Sequence, residues 1–245
     1  MKSATIKREK ATRSTAVVSS HDIGIMIGGS YYLGELNPGK HFNMTKPAFG
    51  VFYRFNQNYR VAYRAGFNYG SIMGDDSQSD DDDQLMRNLN FKSKLIEFNG
   101  VAEFNFWEYR INNSKHFFSP YVFLGFAVVH HKPMAEFQGK YIELQPLATE
   151  GQGTSLDTKR KKYKLTQFTI PFGLGAKLNL SRNVGLSLEW GMRKTFTDYL
   201  DDVSKQYVNP ILLAQEKGAL SAILSNRSNN TDPTYNMTGT QRGNP

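Results

Sequence analysis

The stretch Gln167-Phe168-Thr169-Ile170-Pro171-Phe172-Gly173-Leu174-Gly175-Ala176-Lys177-Leu178-Asn179-Leu180 decides the fold. Phe168, Ile170, Phe172, Leu174, Ala176, Leu178 and Leu180 fall on every second position. Gln167, Thr169, Pro171, Gly173, Gly175, Lys177 and Asn179 lie between them. Successive side chains of a strand point to opposite faces, so this is a β-strand with one apolar face and one small or polar face. The following segment, Val184 to Arg193, repeats the pattern: Val184, Leu186, Leu188, Trp190 and Met192 alternate with Gly185, Ser187, Glu189, Gly191 and Arg193.

Working outward, three more segments alternate in the same way. Ile96 to Phe106 sets Ile96, Phe98, Gly100, Ala102, Phe104 and Phe106 against Glu97, Asn99, Val101, Glu103 and Asn105. Val61 to Gly70 sets Val61, Tyr63, Ala65, Phe67 and Tyr69 against Ala62, Arg64, Gly66, Asn68 and Gly70. Ala48 to Phe55 sets Phe49, Val51, Tyr53 and Phe55 against Ala48, Gly50, Phe52 and Arg54. Two further strands, around Ile23 to Leu33 and Pro120 to Val129, are apolar on both faces and leave their registers open. Ten residues at about 3.3 Å each, tilted by about 40°, span roughly 25 Å, the height of the apolar band of an outer-membrane barrel.

The connections alternate in length. Asn56-Gln57-Asn58 and Leu180-Ser181-Arg182-Asn183 are tight links, and Glu108 to Phe117 is intermediate. Long polar segments fall near 35–46, 74–88, 131–162 and 199–245. Up-and-down membrane barrels carry short turns on the periplasmic rim and long loops on the extracellular rim. The fold class expected is therefore an all-β, up-and-down antiparallel transmembrane barrel of eight strands, seven of them visible. The barrel domain is expected over 22–245, with a disordered basic tail over 1–21. An odd number of strands leaves a backbone edge unpaired in lipid. Strand eight is expected beyond Pro245, after the turn composition Arg242-Gly243-Asn244-Pro245, and Ile211 to Leu224 is expected to form a loop helix.

Composition fits this reading. The 245 residues include no cysteine, 17 Phe, 13 Tyr and 21 Gly, which favours β-structure and excludes disulfides and Cys-based zinc sites or nucleophiles. The mean hydropathy of −0.51 argues against membrane helices but not against barrel strands, which are only half apolar. The net charge of +8 is not a nucleic-acid footprint. Half of it comes from Lys2, Lys7, Arg8, Lys10 and Arg13 against Glu9. Asp75, Asp76 and Asp80 to Asp83 form an acidic run, and Lys159 to Lys162 with Lys164 a basic one; both read as solvated loops. The basic run is also a candidate contact for anionic lipid or lipopolysaccharide. The tail has no apolar core of the kind a signal peptide needs. Localisation in the outer membrane of a Gram-negative bacterium thus requires a signal upstream, or that this tail has replaced the signal.

The polar faces carry Arg54, Arg64, Lys177 and Arg193 against Glu97, Glu103 and Glu189. These seven are expected to meet as a structural ion-pair network filling a narrow lumen, since small barrels fill with side chains. Tyr59, Tyr69, Trp107, Tyr121, Tyr163 and Trp190 are expected to form interfacial girdles. No catalytic, metal or cofactor residues are expected. There is no nucleophile elbow and no HExxH motif, and the adjacent His130 and His131 point to opposite faces. A second reading places the apolar faces inside a soluble, lipocalin-like barrel that binds a small apolar ligand.

Several stretches carry a resemblance. They are Gly28-Gly29-Ser30-Tyr31-Tyr32-Leu33-Gly34-Glu35-Leu36-Asn37-Pro38, Leu144-Gln145-Pro146-Leu147 with Thr149-Glu150-Gly151-Gln152-Gly153-Thr154, the run from Leu188 to Ser204, and Arg242-Gly243-Asn244-Pro245. Over roughly 22–245 the chain resembles the PorG family of outer-membrane barrels from the type IX secretion system of Bacteroidota. The resemblance implies an eight-stranded barrel, no enzymatic activity, no cofactor, and association with the periplasmic PorK–PorN ring. It also implies a signal peptide and a last strand that this sequence does not display. The block from Trp190 to Ser204 is expected to shape an outer loop rather than to bind the ring.

Overall fold

The computed structural model describes residues 19–111, 113, 115–228 and 236–243. The basic tail before residue 19 and the strand expected beyond Pro245 lie outside them. Seven long strands dominate: β1 (Ser20–Ser30), β2 (Lys46–Asn56), β3 (Val61–Asp75), β4 (Asn90–Asn105), β5 (Phe118–Phe137), β7 (Thr166–Asn179) and β8 (Gly185–Thr195). A short β6 (Lys140–Glu143) folds back on β5. All pairings are antiparallel, and the sheet runs β1-β2-β3-β4-β5-β7-β8, with β6 as a side hairpin. No helix among the described residues is long and apolar enough to cross a membrane.

The strands outrun the sequence expectation at the long-loop rim. β3 reaches Asp75, β4 begins at Asn90 and β5 continues to Phe137, so part of the segments read as loops at 74–88 and 131–162 is strand. The β5–β6 hairpin was not foreseen. It turns on Gln138 and Gly139, both at positive φ (52° and 75°), the geometry of a two-residue hairpin loop. Gln-Gly is a weaker signal for that turn than Asn-Gly. The single helix expected over Ile211 to Leu224 is two: α2 (Pro210–Lys217), capped by the Asn209 side chain, and α3 (Ala219–Ser225), separated by Gly218 at φ 95°. The acidic run also contains structure. Asp81 caps α1 (Asp82–Arg87), and Asp76 is fully buried against Arg87. Burial of Asp76 corrects the reading of that run as a wholly solvated loop.

The sheet is rolled, and its two faces have opposite chemistry. Ile23 on β1, Phe126 on β5 and Leu188 on β8 point outward and are 86%, 76% and 77% exposed. Phe49, Val51, Phe98, Leu124, Phe168 and Leu186 extend this apolar exterior around the sheet. The alternate positions point inward, where Arg64 of β3 crosses the interior to Glu189 of β8, and Arg193 of β8 reaches Glu97 of β4. These cross-sheet bonds show the sheet curled into a barrel, and among the described residues β1 and β8 are not paired with each other. Six antiparallel pairings in succession leave the edge strands β1 and β8 pointing the same way. Any strand that closes the seam must run opposite to both. Near the loop rim the edges are bridged by Trp190 Nε1 donating to Tyr31 Oη at 3.4 Å.

Polarity inverts above the barrel. Tyr32, Leu36, Ile72, Leu89, Phe91, Ala135, Leu144, Val203 and Leu224 form one buried apolar cluster drawn from the upper strand ends and all four long connections. The long segments therefore form a packed cap rather than separate loops. The cap packs apolar side chains inside, whereas the barrel presents them outside.

Candidate functional site

The interior of the barrel is built on alternation. Because β2, β3, β4, β7 and β8 each point every second residue inward, Arg54, Arg64, Glu97, Glu103, Lys177, Glu189 and Arg193 share one lumen. Glu103, 1% exposed, is the hub: Arg54 Nε and Arg64 Nε each lie 2.9 Å from it and Lys177 Nζ lies 2.6 Å away. Arg64 also makes a two-pronged contact with Glu189 at 2.5 and 3.0 Å, and Tyr121 Oη donates to the same carboxylate. Glu97 receives Arg193, Asn68 and Asn99. Lys177, itself 1% exposed, is completed by Asn105 Oδ1 at 3.0 Å and by the Tyr121 ring at 4.4 Å. Asp22 of β1, absent from the sequence expectation, lies 3.8 Å from Arg54. It brings the lumen to four acids against four bases. Its signal was present in the alternation of β1, where Asp22 precedes the outward Ile23.

Two members of the expected aromatic girdle lie elsewhere. Tyr121 is inward, in the lumen, and Tyr163 is packed in the cap against Tyr199, with ring centroids 4.8 Å apart. Tyr59 sits under the Arg110 guanidinium at the short-turn rim. Tyr69, Trp107 and Trp190 are exposed on the exterior. A tyrosine near a strand end serves either face, so strand position alone does not distinguish girdle from lumen.

The second concentration of buried charge lies in the cap. Arg242, in the returning segment 236–243, donates from Nη1 to Glu150 Oε1 at 3.2 Å and to the Asp202 carbonyl at 2.6 Å, and from Nε to the Ser225 carbonyl at 3.0 Å. Glu150 also accepts from the backbone N–H groups of Ser204 and Lys205, from Arg160 and from Tyr199. Asp202 accepts from Thr149 at 2.5 Å and Tyr163 at 2.6 Å, and Asp201 accepts from Tyr32 at 2.6 Å. Arg87, held by Asp76, donates to the Arg242 carbonyl. Burial pushes the Asp201 carboxyl up to about 7, against the Tyr32 hydrogen bond that lowers it. Burial likewise pushes Asp202 up to about 6, against the opposing charge of Arg242. The Tyr32 and Tyr163 phenols are raised by burial and by the carboxylates they serve.

This node joins the four stretches that carry the sequence resemblance: Tyr32 and Glu35 from the first, Thr149 and Glu150 from the second, Asp201, Asp202 and Ser204 from the third, and Arg242 from the fourth. Chemistry-based reading of the sequence missed it, because Glu150 and Arg242 are 92 residues apart and neither lies in a patterned element. Chemically the node is a network of mutually paired donors and acceptors centred on Glu150 and Asp202. No group of three or more His, Asp or Glu suited to a metal ion occurs among the described residues.

No curated protein matches this chain. Among solved structures, the crystal structure of Ail, the attachment invasion locus protein of Yersinia pestis, in complex with the heparin analogue sucrose octasulfate, is similar at 15% identity. That similarity has a TM-score of 0.35 and covers 71% of this chain and 84% of that chain. A family described only as a domain of unknown function, DUF6089, matches residues 10–211, and the chain belongs to it.

Proposed function

We propose that this chain is a non-enzymatic β-barrel of the bacterial outer membrane that serves as a structural and assembly component of the type IX secretion machinery. The observation that carries the membrane reading is the inversion of the sheet. A continuous apolar exterior surrounds a lumen of paired charges, the arrangement that lipid on the outside requires. The soluble lipocalin-like alternative needs the opposite arrangement, apolar inside and polar outside. The lumen is filled: a cavity lined by Met26, Phe52, Arg64, Val101, Phe123 and Glu189 has a volume of about 10 Å³. That is at the lower limit for one water molecule. Above it lies the apolar cap. Such a barrel anchors rather than conducts.

The secretion role rests on the resemblance of the stretches that meet in the cap node. In this reading the short-turn rim faces the periplasm and offers its surface to a PorK–PorN-type ring. That rim carries an open cleft of about 350 Å³ in the β4–β5 link, lined by Trp107, Glu108, Lys115, His116, Phe117 and Phe118. Two experiments separate the two levels of the proposal. Cold-detergent gels test the barrel: a folded membrane barrel shifts its migration on boiling, and a chain that stays folded and monomeric without detergent rejects it. Co-purification from gently solubilised membranes, with all ring components expressed, tests the assembly role, and absence of those components from the eluate sinks it.

A further inference from the structure

At the loop-side edge of the apolar exterior, the register brings three lysines into one row on three neighbouring strands. Lys94 of β4 is the direct cross-strand partner of Lys132 of β5. Lys164, just before β7, continues the row, because His130 pairs with Thr166 and the His131 N–H donates to the Leu165 carbonyl at 2.8 Å. Neighbouring strands lie about 4.8 Å apart. Like charges placed directly opposite one another on a sheet oppose pairing. Glu143 lies 2.5 Å from Lys132, but among the described residues no carboxylate lies within ion-pair range of Lys94 or Lys164. The row carries a net positive charge on an exposed face.

The rows beneath it follow in order of polarity. The next outward row is Ile96, His130 and Thr166, in which His130 Nδ1 and Thr166 Oγ1 are hydrogen-bonded at 3.0 Å. The row after that is Phe98, Val128 and Phe168. Over two rows, roughly 13 Å of strand, the surface passes from cations through neutral hydrogen-bonding groups to bare hydrocarbon. Lipid has the same sequence: phosphate, then ester and hydroxyl groups, then acyl chains. Lys92, one row higher on the same face of β4, is turned over the Tyr141 ring at 4.9 Å.

Resting on the membrane reading, we infer that the Lys94–Lys132–Lys164 row is a binding surface for the phosphates of a lipid headgroup in the leaflet that surrounds the loop-side rim. It fixes how deeply that rim sits and recruits phosphorylated lipid to the β4–β5–β7 side of the barrel. The sequence expectation for anionic lipid pointed to the loop run 159–164. Here the contact falls on the strand row, with Lys164 the only member shared.

The test uses the full-length chain inserted into phosphatidylcholine vesicles and the same vesicles carrying lipid A. Insertion is scored by the boiling shift in plain phosphatidylcholine, and enrichment of lipid A around the purified barrel is scored by quantitative lipid analysis. The variant Lys94→Gln/Lys132→Gln/Lys164→Gln is compared with Lys140→Gln/Lys159→Gln/Lys161→Gln, which removes equal charge from exposed loop-side positions. The row variant is expected to insert normally and to lose lipid A enrichment by about thirtyfold, the worth of the row's two net positive charges near an anionic surface. The loop variant is expected to retain it. Equal enrichment in the row variant, equal loss in the loop variant, or equally tight binding of a deacylated, water-soluble bisphosphorylated headgroup overturns the inference. Failure of the wild-type chain to insert into phosphatidylcholine overturns the membrane reading itself, and this inference with it.

Discussion

Arg242 shows what a single side chain does in the cap. Its guanidinium joins the returning segment 236–243 to Glu150, to the Asp202 carbonyl and to the end of α3. Arg242→Ala leaves Glu150 and Asp202 buried with less compensation, a loss expected to cost about 3–5 kcal/mol. Trypsin cleavage of the cap lysines should accelerate while the boiling shift of the barrel is kept. Asp201 and Asp202 give the cap a pH dependence of definite sign. Their folded values lie above those of free carboxyls, so between about pH 4 and pH 7 the folded cap binds more protons than the unfolded one. The contribution of these two groups to stability therefore falls as pH rises through that window. Proteolysis of the cap should be slower at pH 5 than at pH 8, and Asp201→Asn should flatten the difference; an unchanged profile in the variant refutes the assignment. In the lumen, Glu103→Ala strands Arg54, Arg64 and Lys177 around a missing hub and should cost about 3–5 kcal/mol, read as a lower urea midpoint for the boiling-sensitive species.

Among elements, the strands are governed by how closely they pack. On β5, Gly125 faces the lumen where a Cβ would lie 2.0 Å from the Gly100 carbonyl oxygen and 2.6 Å from the Val101 Cα. Those neighbours are backbone of β4 and do not yield cheaply. Gly125→Val should destabilise the β4–β5 pair by about 1–3 kcal/mol, measured on the same urea scale. The seam between β1 and β8 is the other element-level feature. Both strands carry strongly exposed isoleucine or leucine, and their edges carry ladder groups that hydrocarbon does not satisfy. Alternation was legible for β2, β3, β4, β7 and β8, because each has one apolar face. β1 and β5 were harder to register, since β5 also buries Tyr121, Phe123 and Val129 inward. There, the neighbours' register determines which face is out.

Across the whole molecule, two opposite packing regimes share one chain. The barrel wall turns hydrocarbon outward around paired charge, and the cap turns hydrocarbon inward around a charged node. The changeover occurs within single strands. On β4, inward Phe91 belongs to the cap cluster, and inward Glu97 and Glu103, farther along the same face, belong to the lumen. Among the described residues, ion pairs occupy the lumen below and apolar packing lies above them. Reconstitution into planar bilayers should therefore give no steady conductance above the lipid background, and stepwise channels of uniform size would contradict the filled lumen.

The period-two alternation by itself determined the class of fold and placed Arg54, Arg64, Glu97, Glu103, Lys177, Glu189 and Arg193 on the polar faces of their strands; which face lines the interior was left to the rolled sheet. That information is local: a strand's faces are set by the parity of its own residues. Tertiary structure decided the rest. It showed that Asp22 completes the lumen, that Tyr121 and Tyr163 turn inward, that Asp76 is buried, and that the long connections converge on Glu150, Asp202 and Arg242. Each of these depends on partners tens of residues away, which no periodic signal within a segment encodes. The same holds for the lysine row. Each lysine looks unremarkable in its own segment, and only the cross-strand register sets the three side by side above the apolar exterior.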